Sequence, residues 1–401
     1  SLGNNNINVR AIAQGASERN ISIIIDEINA KKALNALHES FFEKDLKDIH
    51  IFITGVGNVG GYLIQQIKNQ KDFISENLGL NLKVLGVSNS KKMLISKEEI
   101  DLKNWSKLLD NSKTKADKDL FQKTIIELNR RNSLFVDNTA SDIIPLTYND
   151  YLKNGVGIIT CNKISNSGTL NVYKELRELS MRHNARFFYE TNVGAALPVI
   201  STLKNLINSG DKVLKIEAVL SGTLNYIFNN FQEENTFHDI VSKAVDLGYT
   251  EPDPKIDLCG IDVCRKILIL ARESGYNLEY EDVKKNHFLP DESINTTSNN
   301  EFILSLKKNK AHFNKILNEA KEKNCRLKFV AKLDNGNASV GLEAVPLDHP
   351  FYNLVGSDNI TVFHTERYKD SPLVVKGAGA GGEFTASGVF ADIIKASQEN
   401  G

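Results

Sequence analysis

The chain has 401 residues, which is too long for one ordinary hydrophobic core, so two or three domains are expected. Hydrophobic residues make up 41% and charged residues 25% of the sequence, which is the balance of a globular protein rather than of a disordered chain. The 49 lysines and arginines and 50 aspartates and glutamates leave a net charge of −1, and the lysine-rich stretches are interrupted by acids, so we expect no nucleic-acid partner.

The pattern of apolar residues argues against a membrane-spanning or secreted protein, and the cysteines argue against a protein stabilised by zinc or disulfides. No apolar run approaches the roughly 18 residues of a membrane span, and none has the form of a signal peptide. The four cysteines have neither the spacing of a zinc site nor that of a disulfide framework. We therefore expect no membrane partner and a reducing, cytoplasmic compartment.

The first segment, residues 1–45, predicts two strands and a helix. The strands lie at 9–13 and 21–25, with a turn-rich segment at 14–20 between them. The helix that follows has apolar residues at helical spacing: Ala30, Ala33, Leu34, Leu37 and Phe41. Because so few elements bury little apolar surface, this segment is expected to belong to a larger structure.

From residue 49 the pattern changes to alternating strands and helices. Strands are predicted at 49–54, 82–87, 134–136 and 157–160, with helical segments between them, notably around 105–109 and 121–128. This alternation predicts an α/β fold with a Rossmann-type, doubly wound parallel sheet over residues 46–189.

A second α/β domain is expected over residues 190–364, with the sheet continuing into it. The strand that leads into it is predicted at 186–189, its own strands at 213–220, 325–333 and 338–342, and its helices at 198–207, 225–231, 240–247 and 261–273. The final segment, 365–401, contains a second glycine-rich turn at 377–382 before a helix at 385–397.

A glycine turn follows the first strand of the alternating region, with the sequence Gly55, Val56, Gly57, Asn58, Val59 and Gly60. Gly55 permits a tight exit from the strand, Gly57 lets the backbone approach a pyrophosphate, and Gly60 allows close packing of helix on strand. The alternative is a purely structural loop. The position of the glycine turn between a strand and a helix favours dinucleotide binding by the helix N-terminus.

The end of the next strand indicates which dinucleotide binds. An acidic residue is usual there when NAD is preferred, but this sequence has Ser88, Asn89, Ser90, Lys91 and Lys92. Neutral donors and two cations suit a 2′-phosphate, so NADP is favoured, with NAD possible and a solvated loop as the structural alternative. Two later strand ends carry Thr139 and Lys163, which should point toward the nicotinamide, although a lysine at such a position is often only a surface residue.

The densest polar cluster follows residue 248. Two prolines restrict the loop that carries Glu251, Asp253 and Asp257, and Asp262 lies one helical turn before Lys266. The simple interpretation is an exposed ion pair that contributes little. The alternative is an acidic site for a substrate with an ammonium group, beside a lysine that transfers a proton.

The turn from Glu190 to Pro198 joins a predicted strand to a helix. Its carbonyl groups and one carboxylate could hold a monovalent cation, and ordinary entry into the helix explains it equally well.

Four stretches resemble, in order, those of the homoserine dehydrogenases: Gly-Ala-Ala-Leu-Pro at 194–198, Ser-Gly-Thr-Leu-Asn-Tyr-Ile at 221–227, Leu-Gly-Tyr-Thr-Glu-Pro-Asp-Pro at 247–254 and Asp-Val-Cys-Arg-Lys at 262–266. The resemblance extends from about residue 49 to the C-terminus. Residues 8–22 resemble the end of the regulatory ACT region of aspartokinases. Together they resemble the C-terminal part of a bifunctional aspartokinase–homoserine dehydrogenase, with an incomplete ACT unit.

The resemblance implies NAD(P)H-linked interconversion of aspartate 4-semialdehyde and homoserine, within threonine and methionine biosynthesis, by a homodimer or larger homo-oligomer. It implies a catalytic and dimerisation role for the second domain. By position, Lys266 matches the proton-transferring lysine and Lys163 a second active-site lysine that contacts substrate and cofactor. Further matches are the substrate-binding acids (Glu251, Asp257, Asp262), the cofactor contacts (Thr139, Gly377, Gly379) and a sodium or potassium site (Glu190 with the carbonyls of Val193, Ala195 and Leu197).

Two other functions fit parts of the same pattern. One is a catalytically silent sensor that binds the cofactor, although both lysines of an active enzyme are present. The other is an NAD(P)-linked dehydrogenase for a different small substrate. The acid-rich loop favours an amino-acid substrate and therefore argues against this alternative.

Overall fold

The computed structural model describes residues 2–14, 20–42 and 46–398. These fall into two compact units. The first unit contains residues 1–165, 171–189 and 385–401, and the second contains 166–170 and 190–384. The centre of the turn predicted at 14–20 lies outside the described residues.

The first unit begins with a small antiparallel hairpin and one helix. Strand β1 (Val9–Gln14) pairs with β2 (Ile21–Ile25), and helix α1 (Ala30–Phe42) follows. This hairpin and helix have a small core of their own, formed by Leu2, Ile7, Ala33 and Ala36. Leu34, predicted on the buried face of α1, is instead 69% exposed, and the side chain of Phe41 lies outside the described part.

The main sheet of the first unit has six strands in the order β5-β4-β3-β6-β7-β8. All neighbours are parallel except β5, which is an antiparallel edge strand. The strands are β3 (Lys47–Thr54), β4 (Leu80–Ser88), β5 (Met93–Ile95), β6 (Ser133–Asp137), β7 (Gly157–Thr160) and β8 (Phe187–Phe188). The helices along this part of the chain are α2 (Asn58–Leu78), α3 (Trp105–Asp110), α4 (Lys118–Leu128), α5 (Tyr148–Lys153), α6 (Ile164–Ser167) and α7 (Leu170–Arg182). The predicted doubly wound parallel sheet is therefore confirmed.

The central strands are buried on both faces because helices cover the sheet on each side. Ile51, Ile53 and Val84 are fully buried, and α2 contributes Leu63 and Ile64 to the same core. This packing fixes the carboxyl ends of β3, β4, β6 and β7 along one edge, where the predicted cofactor residues follow.

The second unit has its own six-stranded sheet, in the order β10-β12-β11-β9-β13-β14, so the prediction that one sheet continues through both domains is wrong. Only β10 and β12 pair in parallel. The strands are β9 (Val213–Val219), β10 (Lys284–Asn286), β11 (Arg326–Asp334), β12 (Asn337–Val345), β13 (Asp358–Thr365) and β14 (Leu373–Ala378). The strand predicted at 186–189 is β8 of the first sheet, because β7 offers it a parallel neighbour.

Eight helices accompany this sheet in the described part of the second unit: α8 (Val199–Asn208), α9 (Gly222–Asn230), α10 (Phe237–Asp246), α11 (Pro254–Leu258), α12 (Ile261–Glu273), α13 (Asp291–Ile294), α14 (Asn299–Lys308) and α15 (Lys310–Glu322). The last helix, α16 (Gly382–Gln398), begins in the second unit and returns to the first. Over residues 2–14, 20–42 and 46–398, none of the helices combines the length and apolar character that crossing a membrane requires.

The glycine-rich turn predicted at 377–382 is shorter than expected. Gly377 and Ala378 belong to β14, where Gly377 pairs with Asn359 of β13, so the connection to α16 consists of residues 379–381. Strand pairing takes precedence over the local glycine content here, because β13 offers a complete ladder of backbone partners.

Candidate active site

The glycine turn leaves β3 and enters α2 as predicted. Gly55 has φ +87°, which favours glycine, and its N–H donates to the carbonyl of Ser88 at 2.8 Å. A Cβ on Gly60 would lie 2.3 Å from the carbonyl oxygen of Gly55, so a larger residue would push the helix off the strand. Gly55 and Gly60 are therefore required by the turn itself.

Gly57 has a different role, because a Cβ there would meet nothing within 4 Å. It occupies the N-cap of α2 and offers no side-chain oxygen to the first helical N–H groups of Asn58, Val59 and Gly60. Beside this turn, both polar side-chain atoms of Asn138 are buried without a hydrogen-bond partner in the described chain. Open space, uncapped N–H groups and an unsatisfied amide together fit the phosphates of a dinucleotide.

The segment after β4 forms a tight hairpin turn into β5. The side chain of Asn89 accepts from the N–H groups of Lys91 and Lys92 at 2.8 and 2.7 Å, and Ser88 is buried beneath it. Lys92 is occupied, since its ammonium donates to the carbonyl of Asp110. Ser90 and Lys91 are exposed at the tip of this turn and remain accessible to a ligand.

An aspartate that the sequence analysis did not single out organises the ends of β6 and β7. Asp137 is fully buried, and its carboxylate accepts from the Thr139 N–H at 2.8 Å and the Tyr148 hydroxyl at 2.6 Å. The side-chain amide of Asn162 also donates to it at 3.3 Å. Burial raises the pKa of Asp137, and the hydrogen bonds from Tyr148 and Thr139 oppose that rise. This network fixes both predicted strand-end positions, Thr139 and, through its neighbour Asn162, Lys163.

In the second unit, Lys266 lies in the middle of α12 and only 8% of its surface is exposed. Its ammonium donates to the carbonyl of Leu220 at 2.7 Å and forms an ion pair with the Asp262 carboxylate at 2.8 Å. The predicted i,i+4 pair is therefore present, and it differs from an ordinary surface pair because the amine is buried.

The predicted acids lie around the short helix α11, which Asp253 caps by accepting from the Lys255 N–H at 3.0 Å. Asp257 accepts from the Glu251 N–H at 2.8 Å, which folds the loop back onto the helix. Burial, opposed by the hydrogen bond from the Glu251 N–H and assisted by the nearby carboxylates of Glu251 and Asp262, raises the pKa of Asp257 to about 6. The structure thus brings Glu251, Asp257, Asp262 and Lys266 together in one unit.

Helix α9 connects the two parts of this cluster. Its N-cap, Ser221, directly follows Leu220, the residue whose carbonyl accepts from Lys266. The Thr223 hydroxyl donates to the carbonyl of Tyr249, and the Tyr226 and Tyr249 rings meet edge to face at 4.8 Å. The position of α9 therefore affects both the lysine and the acidic loop.

Lys328 of β11 is fully buried and holds α9 in place, and no local sequence pattern indicated this role. Its ammonium donates to the side-chain oxygens of Asn225 and Asn229 at 3.1 and 2.5 Å and to the carbonyl of Leu354 at 2.6 Å. Burial, with a smaller contribution from the charge of Arg326, lowers its pKa to about 8. Three hydrogen bonds to neutral acceptors compensate a cation that has left water.

The turn after Glu190 is tightly built. Both carboxylate oxygens of Glu190 accept backbone N–H groups at the start of α8, from Ile200 at 2.7 Å and Ser201 at 2.8 Å. Ala195 has φ +52°, which is unusual for a residue other than glycine. The carbonyls of Val193 and Ala195 are buried and accept no hydrogen bond from a described residue, whereas that of Leu197 accepts the Val199 N–H.

The remaining predicted cofactor residues lie near β13 and β14. A Cβ on Gly379 would overlap the side chain of Asn359 at 2.0 Å, and one on Gly377 would lie 3.0 Å from Leu197. No cluster of three or more histidine, cysteine or acidic residues suited to a metal ion occurs in the described ranges. Any cation at the Glu190 turn would thus depend mainly on backbone carbonyls.

Comparison with known families matches three regions of the chain. Residues 198–394 match homoserine dehydrogenase, residues 55–190 match the homoserine dehydrogenase NAD binding domain, and residues 1–41 match the ACT domain.

Curated relatives agree with these matches. The chain is 42% identical over 398 residues to bifunctional aspartokinase/homoserine dehydrogenase 2, chloroplastic, of Zea mays, covering 98% of this chain and 43% of that protein. It is 37% identical over 358 residues to homoserine dehydrogenase of Schizosaccharomyces pombe, covering 87% of this chain and 95% of that one. The chain thus spans less than half the length of the bifunctional relatives that it matches.

Among solved structures, a hyperthermophilic archaeal homoserine dehydrogenase in complex with NADPH is 26% identical, with a TM-score of 0.67. That alignment covers 87% of this chain and 97% of the archaeal chain. With an NAD-binding domain, an ACT domain and a full-length yeast relative all matched, the chain belongs to the homoserine dehydrogenase family.

Proposed function

We propose that this chain catalyses the reversible, NAD(P)H-dependent reduction of L-aspartate 4-semialdehyde to L-homoserine. The observation that carries the proposal is the buried ammonium of Lys266, held by the Leu220 carbonyl and by Asp262 next to a cluster of carboxylates. An amino-acid aldehyde needs both a proton donor and anionic groups for its ammonium, and this cluster offers both.

The cofactor proposed is NADP, with NAD possible. The open space at Gly57 and the N–H groups that begin α2 would hold the pyrophosphate, while the turn of Ser88, Asn89, Ser90 and Lys91 would receive the 2′-phosphate at its exposed tip, Ser90 and Lys91. Thr139, Lys163, Gly377 and Gly379 are proposed as further contacts by family resemblance. When bound, the reduced cofactor supplies the hydride.

The acids Glu251, Asp257 and Asp262 are proposed to bind the substrate ammonium. Lys266 would give a proton to the carbonyl oxygen as it becomes the hydroxyl of homoserine, and it would take that proton back in the reverse direction. Its hydrogen bond to the Leu220 carbonyl limits the orientations of the ammonium, so a donor N–H is held in a fixed direction. Lys163 is proposed as the second cationic group of the reaction.

A monovalent cation, sodium or potassium, is proposed at the Glu190 turn. The buried carbonyls of Val193 and Ala195 lack donors among the described residues, which fits a cation that takes oxygen ligands. The carbonyl of Leu197 and the outer lone pairs of Glu190 would complete the set, with Glu190 still capping α8.

Three wider expectations belong to the same proposal. The enzyme would act in threonine and methionine biosynthesis, and it would form a homodimer or larger homo-oligomer. It would also work alongside an aspartokinase activity, which the names of the bifunctional relatives include. A cytoplasmic location stays a prediction, since several relatives are described as chloroplastic.

The direct test is an absorbance assay with aspartate 4-semialdehyde, comparing NADPH with NADH. We expect turnover with a preference for NADPH, and we expect Lys91→Glu to reduce that preference about tenfold by repelling the 2′-phosphate. Absence of turnover with both cofactors would contradict the proposed function. Equal efficiency with both would contradict only the NADP assignment.

The glycine turn gives a matched series. Gly57→Ala should keep the fold and weaken NADPH binding about tenfold or more, because the new methyl group occupies the open space beside the helix N-terminus. Gly60→Ala should also lower the thermal stability, because its methyl group meets the Gly55 carbonyl. Gly61→Ala, at a position with open space inside α2, is the control and should change neither property. Unchanged NADPH binding in Gly57→Ala would place the phosphates elsewhere.

Lys266→Ala tests the proton donor. We expect kcat to fall by about two orders of magnitude or more, the usual contribution of a positioned acid or base, while NADPH affinity stays unchanged. Steady-state kinetics and a fluorescence titration with NADPH measure the two quantities separately. A reductase rate within tenfold of the wild type, with intact cofactor binding, would rule out this role.

Asp257 makes substrate binding dependent on pH. Its pKa is raised to about 6, so the carboxylate gains a proton as the pH falls through 6 and the cluster loses one negative charge. The KM for aspartate 4-semialdehyde should therefore rise as the pH falls from about 7 to about 5. Asp257→Asn should have a high KM already at neutral pH and a flatter profile. Asp246→Asn, an exposed change on α10, should keep the wild-type profile, and a wild-type profile in Asp257→Asn would refute the assignment.

A further inference from the structure

Arg272, near the end of α12, is a buried charge that the proposed reaction does not use. Its side chain is fully buried, and its guanidinium donates hydrogen bonds in three directions. The acceptors are the carbonyl of Leu278 at 2.9 Å, the carbonyl of Asn166 at 2.9 Å and a carboxylate oxygen of Glu279 at 3.1 Å. Because a guanidinium is planar and rigid, these bonds fix the three acceptors relative to α12.

The guanidinium holds a short segment, residues 166–170, which belongs to the second unit although the residues before and after it belong to the first. Arg272 binds the carbonyl of Asn166, the first residue of the segment. The carboxylate of Glu279, which Arg272 also binds, accepts the N–H of Leu170 at 3.0 Å and so holds the last residue. Both ends of the segment are therefore fixed through Arg272.

Lys163 lies in the chain between this segment and another fixed residue. On its N-terminal side, the buried side chain of Asn162 donates to the carbonyl of Ser141 at 2.7 Å. On its C-terminal side, Arg272 holds the carbonyl of Asn166. The stretch between the two asparagines thus has both ends fixed, and this limits the positions that the backbone of Lys163 can take.

The side chain of Asn166 contacts the turn that is proposed to hold a cation. Its amide donates to the side-chain oxygen of Asn192 at 2.8 Å, and both residues are fully buried. Asn192 directly precedes Val193, whose carbonyl is one of the proposed cation ligands. Asn166 therefore contacts Arg272 with its backbone and the cation turn with its side chain.

The residue after Arg272 connects the other end of this turn to the same helix. The Glu273 carboxylate pairs with Lys204 of α8 at 3.4 Å, and Glu190 accepts the first N–H groups of α8. Both ends of the turn are thus connected to the last turn of α12. That helix also carries Lys266 and is buried along most of its length, so it moves as one rigid body.

We propose that Arg272 is a positioning residue for the dehydrogenase reaction and that Asn166 extends its effect to the cation turn. Arg272 sets the backbone that follows Lys163, and Asn166 sets the carbonyls that hold the cation. A cation at the turn then orders the segment after Lys163 and raises the rate without contacting the substrate. The inference rests on the proposed function, in which Lys163, Lys266 and the cation turn have their roles.

Arg272→Lys tests the positioning role, because a lysine keeps the charge but cannot hold three acceptors in fixed directions. At saturating sodium or potassium we expect kcat to fall about tenfold, while the KM for aspartate 4-semialdehyde and the NADPH affinity stay within about threefold of the wild type. Steady-state kinetics and a fluorescence titration with NADPH, both well below the unfolding temperature of the variant, measure these quantities. A merely structural role would lower the unfolding temperature and leave kcat unchanged.

Asn166→Ala tests the connection to the cation turn, because it keeps the carbonyl that Arg272 binds and removes the hydrogen bond to Asn192. The cation concentration that gives half the maximal rate should rise about fivefold or more, with kcat at saturating cation within about twofold of the wild type. Thr365→Val is the matched control. It also removes a buried hydrogen bond in the second unit, to Asp211 at 2.7 Å, beside the end of β9 that is remote from α9. It should leave kcat and the cation requirement unchanged.

The kinetics of the wild type separate this inference from the function on which it rests. If the wild type is active, a kcat of Arg272→Lys above half the wild-type value, or an unchanged cation requirement in Asn166→Ala, would overturn this inference alone. A wild-type rate that responds to neither sodium nor potassium would also overturn it. If Arg272→Lys does not fold, the result for Asn166→Ala decides. Absence of turnover in the wild type would contradict the proposed function and this inference together.

Discussion

The burial of a lysine ammonium is the constraint on which the second unit depends. A cation that leaves water must find strong partners, and Lys266 finds them in the Asp262 carboxylate and the Leu220 carbonyl. Leu220 lies directly before Ser221, the N-cap of α9, so the position of the Lys266 ammonium depends on the position of α9. A second buried ammonium, on Lys328, fixes α9 through Asn225 and Asn229. Two buried ammonium groups therefore support the site. Lys266 has a carboxylate partner, whereas Lys328 donates to neutral oxygen atoms.

Local patterns predicted the parts of the site that lie close together in sequence. The glycine turn needs only six residues between a strand and a helix, and the spacing of Asp262 and Lys266 places them on one face of α12 whatever surrounds them. The family resemblance added roles to these residues. Their chemistry follows from short-range geometry, which a single sequence contains.

Contacts between residues that are far apart in the sequence could not be predicted from local patterns. Asp137 and Lys328 resemble ordinary surface residues in the sequence, since their partners Tyr148, Asn162 and Asn225 become neighbours only after the sheets form. The second sheet was missed for a related reason, because antiparallel pairing of β9 with β11 and β13 joins strands separated by more than one hundred residues. The shortened turn at Gly377 likewise depends on β13 as a partner.

The path of α16 has a consequence for how the protein is made. Ala386, Val389 and Ile393 of this helix are fully buried in the same core as β3 and α2, although more than three hundred residues separate them in the chain. At about 5–20 residues per second, the ribosome delivers β3 roughly 15 to 65 seconds before α16. Until α16 arrives, the apolar surface that it covers is exposed on the nascent chain. The core of the nucleotide-binding unit is therefore completed only after the whole second unit has been synthesised.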